Sequence, residues 1–120
     1  MATVLIADDD TLVRMVLRMA IEQRGHRALE AGDTRSFLAQ LAEADLCMMD
    51  AAMPGSPLGD RIAAALARPH PPSIVIMSGT IDPPEAVQQQ GLRFLGKPIE
   101  LSTLTQLLDE LFPAPPKVRT

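Results

Sequence analysis

Short apolar runs and amphipathic stretches alternate along the chain five times. Val4-Leu5-Ile6-Ala7, Leu46-Cys47-Met48-Met49 and, after Ser73, Ile74-Val75-Ile76-Met77 are apolar on successive residues. Runs with no polar face read as strands of a parallel sheet covered on both sides. Arg27-Ala28-Leu29-Glu30-Ala31 is a weaker strand signal and Arg93-Phe94-Leu95-Gly96 a short one. Between the first two strands, Leu12, Met15, Val16, Met19 and Ala20 recur at helical spacing and predict an amphipathic helix from Leu12 to Arg24. Asp10 or Thr11 caps it and Gly25 ends it, leaving Arg14 and Arg18 on its wet face. A second helix, capped by Asp33 or Thr34, runs to about Ala42 with Phe37, Leu38 and Leu41 inward.

A third helix begins near Leu58 or Gly59, passes Ile62 and Leu66, and stops at Pro69-His70-Pro71-Pro72. Pro83-Pro84 can start a helix but not continue one, so the fourth, through Val87 to about Gln90, is short. The last helix, from Leu101 or Ser102 to Leu111, is predicted to bury Leu101, Leu104, Leu108 and Leu111. Strands alternating with helices imply an α/β domain: a parallel sheet with helices on both faces and right-handed crossovers. One domain is expected over residues 1–112, and residues 113–120 read as a Pro-rich tail or linker stub.

Composition narrows the function. The 120 residues include three Phe and neither Trp nor Tyr, so the stacking platforms that single-stranded nucleic acids need are missing. A net charge of −4 also opposes a phosphate backbone; no nucleic-acid partner is expected. The lone Cys47 can form no internal disulfide and reads as inert core. His26 and His70 fall in predicted loops and read as solvated. With no basic leader before the first strand and no membrane-length apolar segment, a cytoplasmic location without membrane contact is expected.

The polar residues that end the strands carry the chemistry. Asp8-Asp9 follow the first, Asp50 the third, Ser78 the fourth and Lys97 the fifth. Parallel strands bring those ends to one rim. Two like charges at about 5 Å repel by roughly 3 kcal/mol at an effective dielectric near 20, so three carboxylates need compensation. A hard divalent cation supplies it, which makes the rim a metal site with an open face for a phosphoryl group. Taken alone, Asp8-Asp9-Asp10 would equally serve as helix-capping, dipole-favoured residues. Asp10 is assigned that role here.

From Val4 to about Leu111 the chain resembles the receiver domain of two-component response regulators. The matching motifs are the acidic pair after the first strand, Asp50 with Met53-Pro54 behind it, Ser78-Gly79, and Lys97-Pro98. The resemblance implies a flavodoxin-like, doubly wound (βα)5 fold with a five-stranded parallel sheet in order 2-1-3-4-5. It implies Asp50 as phospho-acceptor and Mg²⁺ held by Asp9, Asp50 and the Ala52 backbone carbonyl, with Asp8 acting through water. Lys97 would neutralise phosphoryl oxygens, Ser78 would hydrogen-bond one of them, and Phe94 would be a switch aromatic, although Phe94 is equally explained as core. The Lys97–Pro98 bond is usually cis in such domains, and the first helix docks the kinase. Departures from the pattern are the apolar Ala52, the irregular Gly55-Ser56-Pro57-Leu58-Gly59 loop, the Pro-led fourth helix, and Phe where Tyr is common.

The function so implied is a stand-alone response regulator, a phospho-switch rather than a turnover enzyme. Its phosphodonor would be a sensor histidine kinase or histidine phosphotransfer protein, its downstream target an unspecified protein, and its state a monomer or weak dimer. One alternative is a receiver from a hybrid histidine kinase or multidomain regulator. Another is a phosphorylation-independent interaction module, which the complete acidic set disfavours. A phosphohydrolase would want a second acid two residues after Asp50, where Ala52 stands.

Overall fold

The structure is a computed structural model. It describes residues 1–79 and 85–113, with the backbone alone for 86, 89 and 90. The order along the chain is β1 (Thr3–Ala7), α1 (Thr11–Gln23), β2 (Arg27–Ala31), α2 (Thr34–Gln40) with a 3-10 turn at Leu41–Glu43, β3 (Leu46–Asp50), α3 (Leu58–Leu66), β4 (Ser73–Ser78), α4 (Glu85–Gln90), β5 (Arg93–Gly96) and α5 (Leu101–Leu111). The five strands are parallel and lie in the order β2-β1-β3-β4-β5. Thr80 and the Pro83-Pro84 helix start fall outside the described residues, as does the tail beyond Pro113.

Alternation along the strands builds two cores. Leu5, Cys47, Met49, Ile74 and Ile76 face Phe37 of α2, Ile62 of α3 and Val87 of α4. Val4, Ile6, Met48, Val75 and Met77 face Leu17 and Ile21 of α1 and Leu104 and Leu108 of α5. Methionines fill space that aromatic rings occupy elsewhere. Cys47 is buried, and burial pushes its thiol pKa up to about 12, which leaves it unreactive at neutral pH.

The apolar face expected of α1 is not the one it buries. Leu17, Ala20 and Ile21 go inward with Val13, while Leu12, Met15, Val16 and Met19 remain 62, 49, 41 and 56% exposed. This helix carries two overlapping apolar stripes, and hydrophobic periodicity cannot rank them. The arginines decide. Arg14 donates to the Asp8 carbonyl at 2.6 Å and to Glu30 of β2 at 3.1 Å, and Arg18 reaches the same Glu30 at 3.0 Å. These contacts fix the helix rotation, so Arg14 is largely buried rather than on a wet face.

Smaller corrections concern other elements. Leu38 and Leu101 are half exposed, and Leu107 is buried in α5. His26 is half-buried: its Nδ1 accepts from the Ala2 amide at 3.0 Å and its ring lies 5.7 Å from that of Phe112. His70 is exposed, as expected.

Asp10 caps α1, accepting from the amides of Leu12 at 2.9 Å and Val13 at 3.4 Å. Asp10→Ala is expected to cost about 1 kcal/mol in denaturant unfolding while leaving Mg²⁺ binding intact. A loss of metal affinity would show that the cap assignment is incomplete.

Candidate functional site

Strand register delivers the polar residues to one place. Ala7 pairs with Met49, so Asp8 and Asp50, one residue on, stand side by side at the ends of β1 and β3. Asp50 pairs with Met77 and Ser78 with Gly96, which sets Ser78 and Lys97 one step further along. The chain leaves β1 outward to β2 and returns on the other side to β3. That reversal of strand order is where open α/β sheets form a crevice.

The carboxylates of Asp8, Asp9 and Asp50 offer oxygens that all lie within 4.8 Å of one another. Asp8 is fully buried, Asp50 nearly so, and Asp9 exposed at the mouth. Both Asp8 oxygens are engaged: Oδ2 with the Lys97 ammonium at 2.6 Å and Oδ1 with the Asp10 amide at 2.9 Å. Asp50 Oδ1 accepts from the Ala52 amide at 3.1 Å, and its Oδ2 lies 3.4 Å from Lys97 Nζ. Burial pulls the Lys97 pKa down, but the hydrogen bond and charge of Asp8, together with Asp50, outweigh it and hold the group above its ordinary value. An all-oxygen donor set of this charge suits a hard cation such as Mg²⁺.

The surrounding loops fix this rim. The Lys97 amide donates to the Ser78 carbonyl at 2.7 Å, tying β5 to β4 where both residues enter the site. Ser78 is buried, Phe94 is half-buried, and the Lys97–Pro98 peptide is cis. The irregular β3–α3 loop is pinned to α2: Thr34 Oγ1 donates to the Pro54 carbonyl at 3.2 Å and lies 2.9 Å from Ser56 Oγ. Gly55 has φ +106°, and a Cβ there would fall 2.8 Å from Thr34 Oγ1. Conformation and space both require glycine.

Two residues at the site were not among the sequence candidates. Arg14 braces the Asp8 carbonyl from α1. Arg61 of α3 is 1% exposed and donates to the carbonyls of Asp50 at 2.8 Å and Ala51 at 3.4 Å. Its Nε–H is buried with no acceptor among the described residues, an arrangement that costs about 1–3 kcal/mol. Burial lowers the Arg61 pKa and the nearby Asp50 charge opposes that shift. The signal lay in the spacing: Arg61 occupies the inward stripe of α3 with Leu58, Ile62 and Ala65, where an ionised side chain is out of place unless it has buried partners.

Beside the rim, Leu12, Val13 and Val16 of α1 and Pro98 and Ile99 of the β5–α5 connection line a shallow groove of about 230 Å³ that Lys97 borders. No described helix is long and apolar enough to cross a membrane.

Comparison with known proteins identifies relatives of this chain and of its fold. The chain is 32% identical over 117 residues to the sensory/regulatory protein RpfC of Xanthomonas campestris, covering 89% of this chain and 16% of that protein. It is 28% identical over 113 residues to the DNA-binding transcriptional regulator NtrC of Azospirillum brasilense, covering 90% of this chain and 24% of that one. It thus spans a quarter or less of the length of these relatives. Among solved structures, the chemotaxis response regulator CheY4 of Vibrio cholerae superposes with a TM-score of 0.83 at 24% identity, covering 93% of this chain and 99% of that one. The receiver domain of the hybrid histidine kinase CckA gives 0.76 at 26% identity, covering 91 and 97%. The family model for the response regulator receiver domain matches residues 4–109. With that match over nearly the whole chain and the doubly wound sheet beneath it, the chain belongs to the response regulator receiver domain family.

Proposed function

We propose that this receiver is a phosphorylation-controlled switch in which Asp50 takes a phosphoryl group from a phosphohistidine in a Mg²⁺-dependent reaction. The observation that carries this reading is the meeting of three carboxylates and one ammonium at the β1/β3 crevice. Asp50 Oδ1 is held by the Ala52 amide at 3.1 Å and Oδ2 lies on the Lys97 side at 3.4 Å from Nζ, so Oδ2, beside the ammonium that would receive the phosphoryl oxygens, is assigned the attack. An O–P bond forms as the P–N bond to the donor imidazole breaks, and the electron pair stays on the imidazole nitrogen. Lys97, 3.4 Å from Oδ2, neutralises charge on the incoming group. Such transfer needs positioning and electrostatic stabilisation more than covalent help.

Asp9, Asp50 and the Ala52 carbonyl would hold Mg²⁺, with Asp8 contributing through water, since both its oxygens already have partners. The bound ion supplies further neutralisation of the phosphoryl oxygens. In the phosphorylated state Ser78 binds a phosphoryl oxygen and Phe94 follows it inward, biasing the β4–β5 side toward a second arrangement. The protein is regulatory, and its chemistry is confined to its own modification and reversal. The direct test is incubation with acetyl phosphate and Mg²⁺, followed by intact-mass measurement. A gain of one phosphate that requires the metal is expected; no gain would overturn the reading.

The phosphodonor would be a sensor histidine kinase or histidine phosphotransfer protein, docking on α1. The exposed Leu12, Met15, Val16 and Met19 form an apolar row on α1 whose Leu12 and Val16 line the groove that Lys97 borders, suited to a partner helix bearing the phosphohistidine. Replacing Val16 and Met19 by Ser is expected to change stability by less than about 1 kcal/mol. It should slow transfer from a phosphorylated histidine phosphotransfer protein at least tenfold and leave acetyl phosphate labelling unchanged. Equal transfer rates would remove α1 from the docking surface.

A further inference from the structure

We propose that Arg61 is a positioning residue for this reaction, acting on Asp50 through two peptide planes. The inference rests on the phospho-acceptor reading and adds the device that orients the acceptor. In a trans peptide the C=O and N–H point in opposite directions within one rigid plane. The plane joining Asp50 to Ala51 is held at both ends, its carbonyl by Arg61 at 2.8 Å and its amide on the Met77 carbonyl at 2.9 Å. The next plane is held likewise: the Ala51 carbonyl by Arg61 at 3.4 Å, and the Ala52 amide on Asp50 Oδ1 at 3.1 Å. One guanidinium therefore drives the Ala52 amide onto the acceptor carboxylate. Through that hydrogen bond it fixes which Asp50 oxygen faces Lys97.

A simple stabilising role accounts poorly for this residue. Among the described residues Arg61 makes no ion pair with a carboxylate, and its Nε–H goes unpaired in the core. Two backbone carbonyls could be satisfied by a neutral side chain or by water, whereas the planar fork of arginine grips both in one fixed orientation. The same two planes lead into Ala52, whose carbonyl is the proposed backbone ligand for Mg²⁺. Disorder in them would loosen both the nucleophile and the metal.

The test uses the full chain with Arg61→Met, which keeps bulk and apolar stem, and Arg61→Lys, which keeps charge without the fork. Three quantities are read: the Ala52 amide resonance by NMR, Mg²⁺ affinity of the unphosphorylated protein by titration calorimetry, and the acetyl phosphate labelling rate at saturating Mg²⁺. In Arg61→Met the Ala52 amide resonance should shift while those of Ile74–Met77 hold. Mg²⁺ affinity should fall at least fivefold and the labelling rate at least tenfold. Arg61→Lys should recover less than half of the logarithmic rate loss. A wild-type Ala52 resonance, or wild-type affinity and rate in Arg61→Met, overturns the proposal. Full rescue by Lys would show that charge alone matters and overturn it too, as would failure of both variants to fold. If wild-type protein takes no phosphate, the acceptor reading fails on its own, and the amide shift still decides whether Arg61 orients Asp50.

Discussion

Asp50→Asn is expected to abolish phosphate gain from acetyl phosphate under conditions that label the wild type, because an amide oxygen is a far weaker nucleophile than a carboxylate. Asp8 cannot substitute. It is fully buried, and both its oxygens are engaged by Lys97 and the Asp10 amide. Asp9 lies at the exposed mouth, without the peptide brace that orients Asp50. The same variant should lose most of the thermal stabilisation that Mg²⁺ confers. A ligand at a hundredfold excess over its Kd stabilises a fold by about 2.7 kcal/mol, and that increment should shrink when one of the two carboxylates proposed to bind the ion directly becomes neutral. Residual labelling of Asp50→Asn would mean that another group accepts phosphate. An undiminished Mg²⁺ effect would place the ion elsewhere.

Lys97→Ala should be costly even before any phosphate arrives. Lys97 is the only cation paired with the Asp8 carboxylate among the described residues, at 2.6 Å, and Asp8 is completely inaccessible to solvent. Removing one partner of a buried pair strands the other, a loss of roughly 3 kcal/mol or more. Thermal unfolding should move down by roughly 10 °C or more in a domain of this size, and added Mg²⁺ should recover part of it by replacing the missing countercharge. The pH dependence has a definite sign. The Lys97 pKa is held above its ordinary value in the fold. Its stabilisation is therefore complete at neutral pH and disappears only as strongly alkaline pH passes through that raised value. The stability gap between wild type and Lys97→Ala should close there and stay constant across pH 7–9. Once phosphorylated, the variant is also expected to show no spectral change in β4 and β5, because no ammonium links the phosphoryl group to β5. An unaltered melting temperature or a wild-type switching response would contradict the role given to Lys97.

Much of this was readable from the chain without coordinates. Apolar runs ending in Asp8-Asp9, Asp50 and Ser78, with the short Arg93–Gly96 segment ahead of Lys97, locate the strands, their direction and the rim where those groups meet. That legibility has a simple cause. Strand pairing in a sheet buried on both faces tolerates no slip, so a residue's place after its strand is also its place in space. Proline and glycine punctuation located the element ends for similarly local reasons.

Helix rotation and the purpose of buried cations belonged to the tertiary structure. α1 holds two apolar stripes of similar strength, and the choice between them fell to Arg14 and Arg18, whose partners Asp8 and Glu30 are remote from any local pattern. That choice left Leu12, Met15, Val16 and Met19 outside, Leu12 and Val16 in the groove that Lys97 borders. Arg61 is the sharpest instance: in sequence it is one charge in an otherwise apolar helix face, and only the fold brings the carbonyls of Asp50 and Ala51 within its reach. The chain alone therefore determined which groups gather at the rim. The packing of helices on the sheet decided how those groups are held, because periodicity can mark a residue such as Arg61 as inward-facing but does not name the distant carbonyls it will meet.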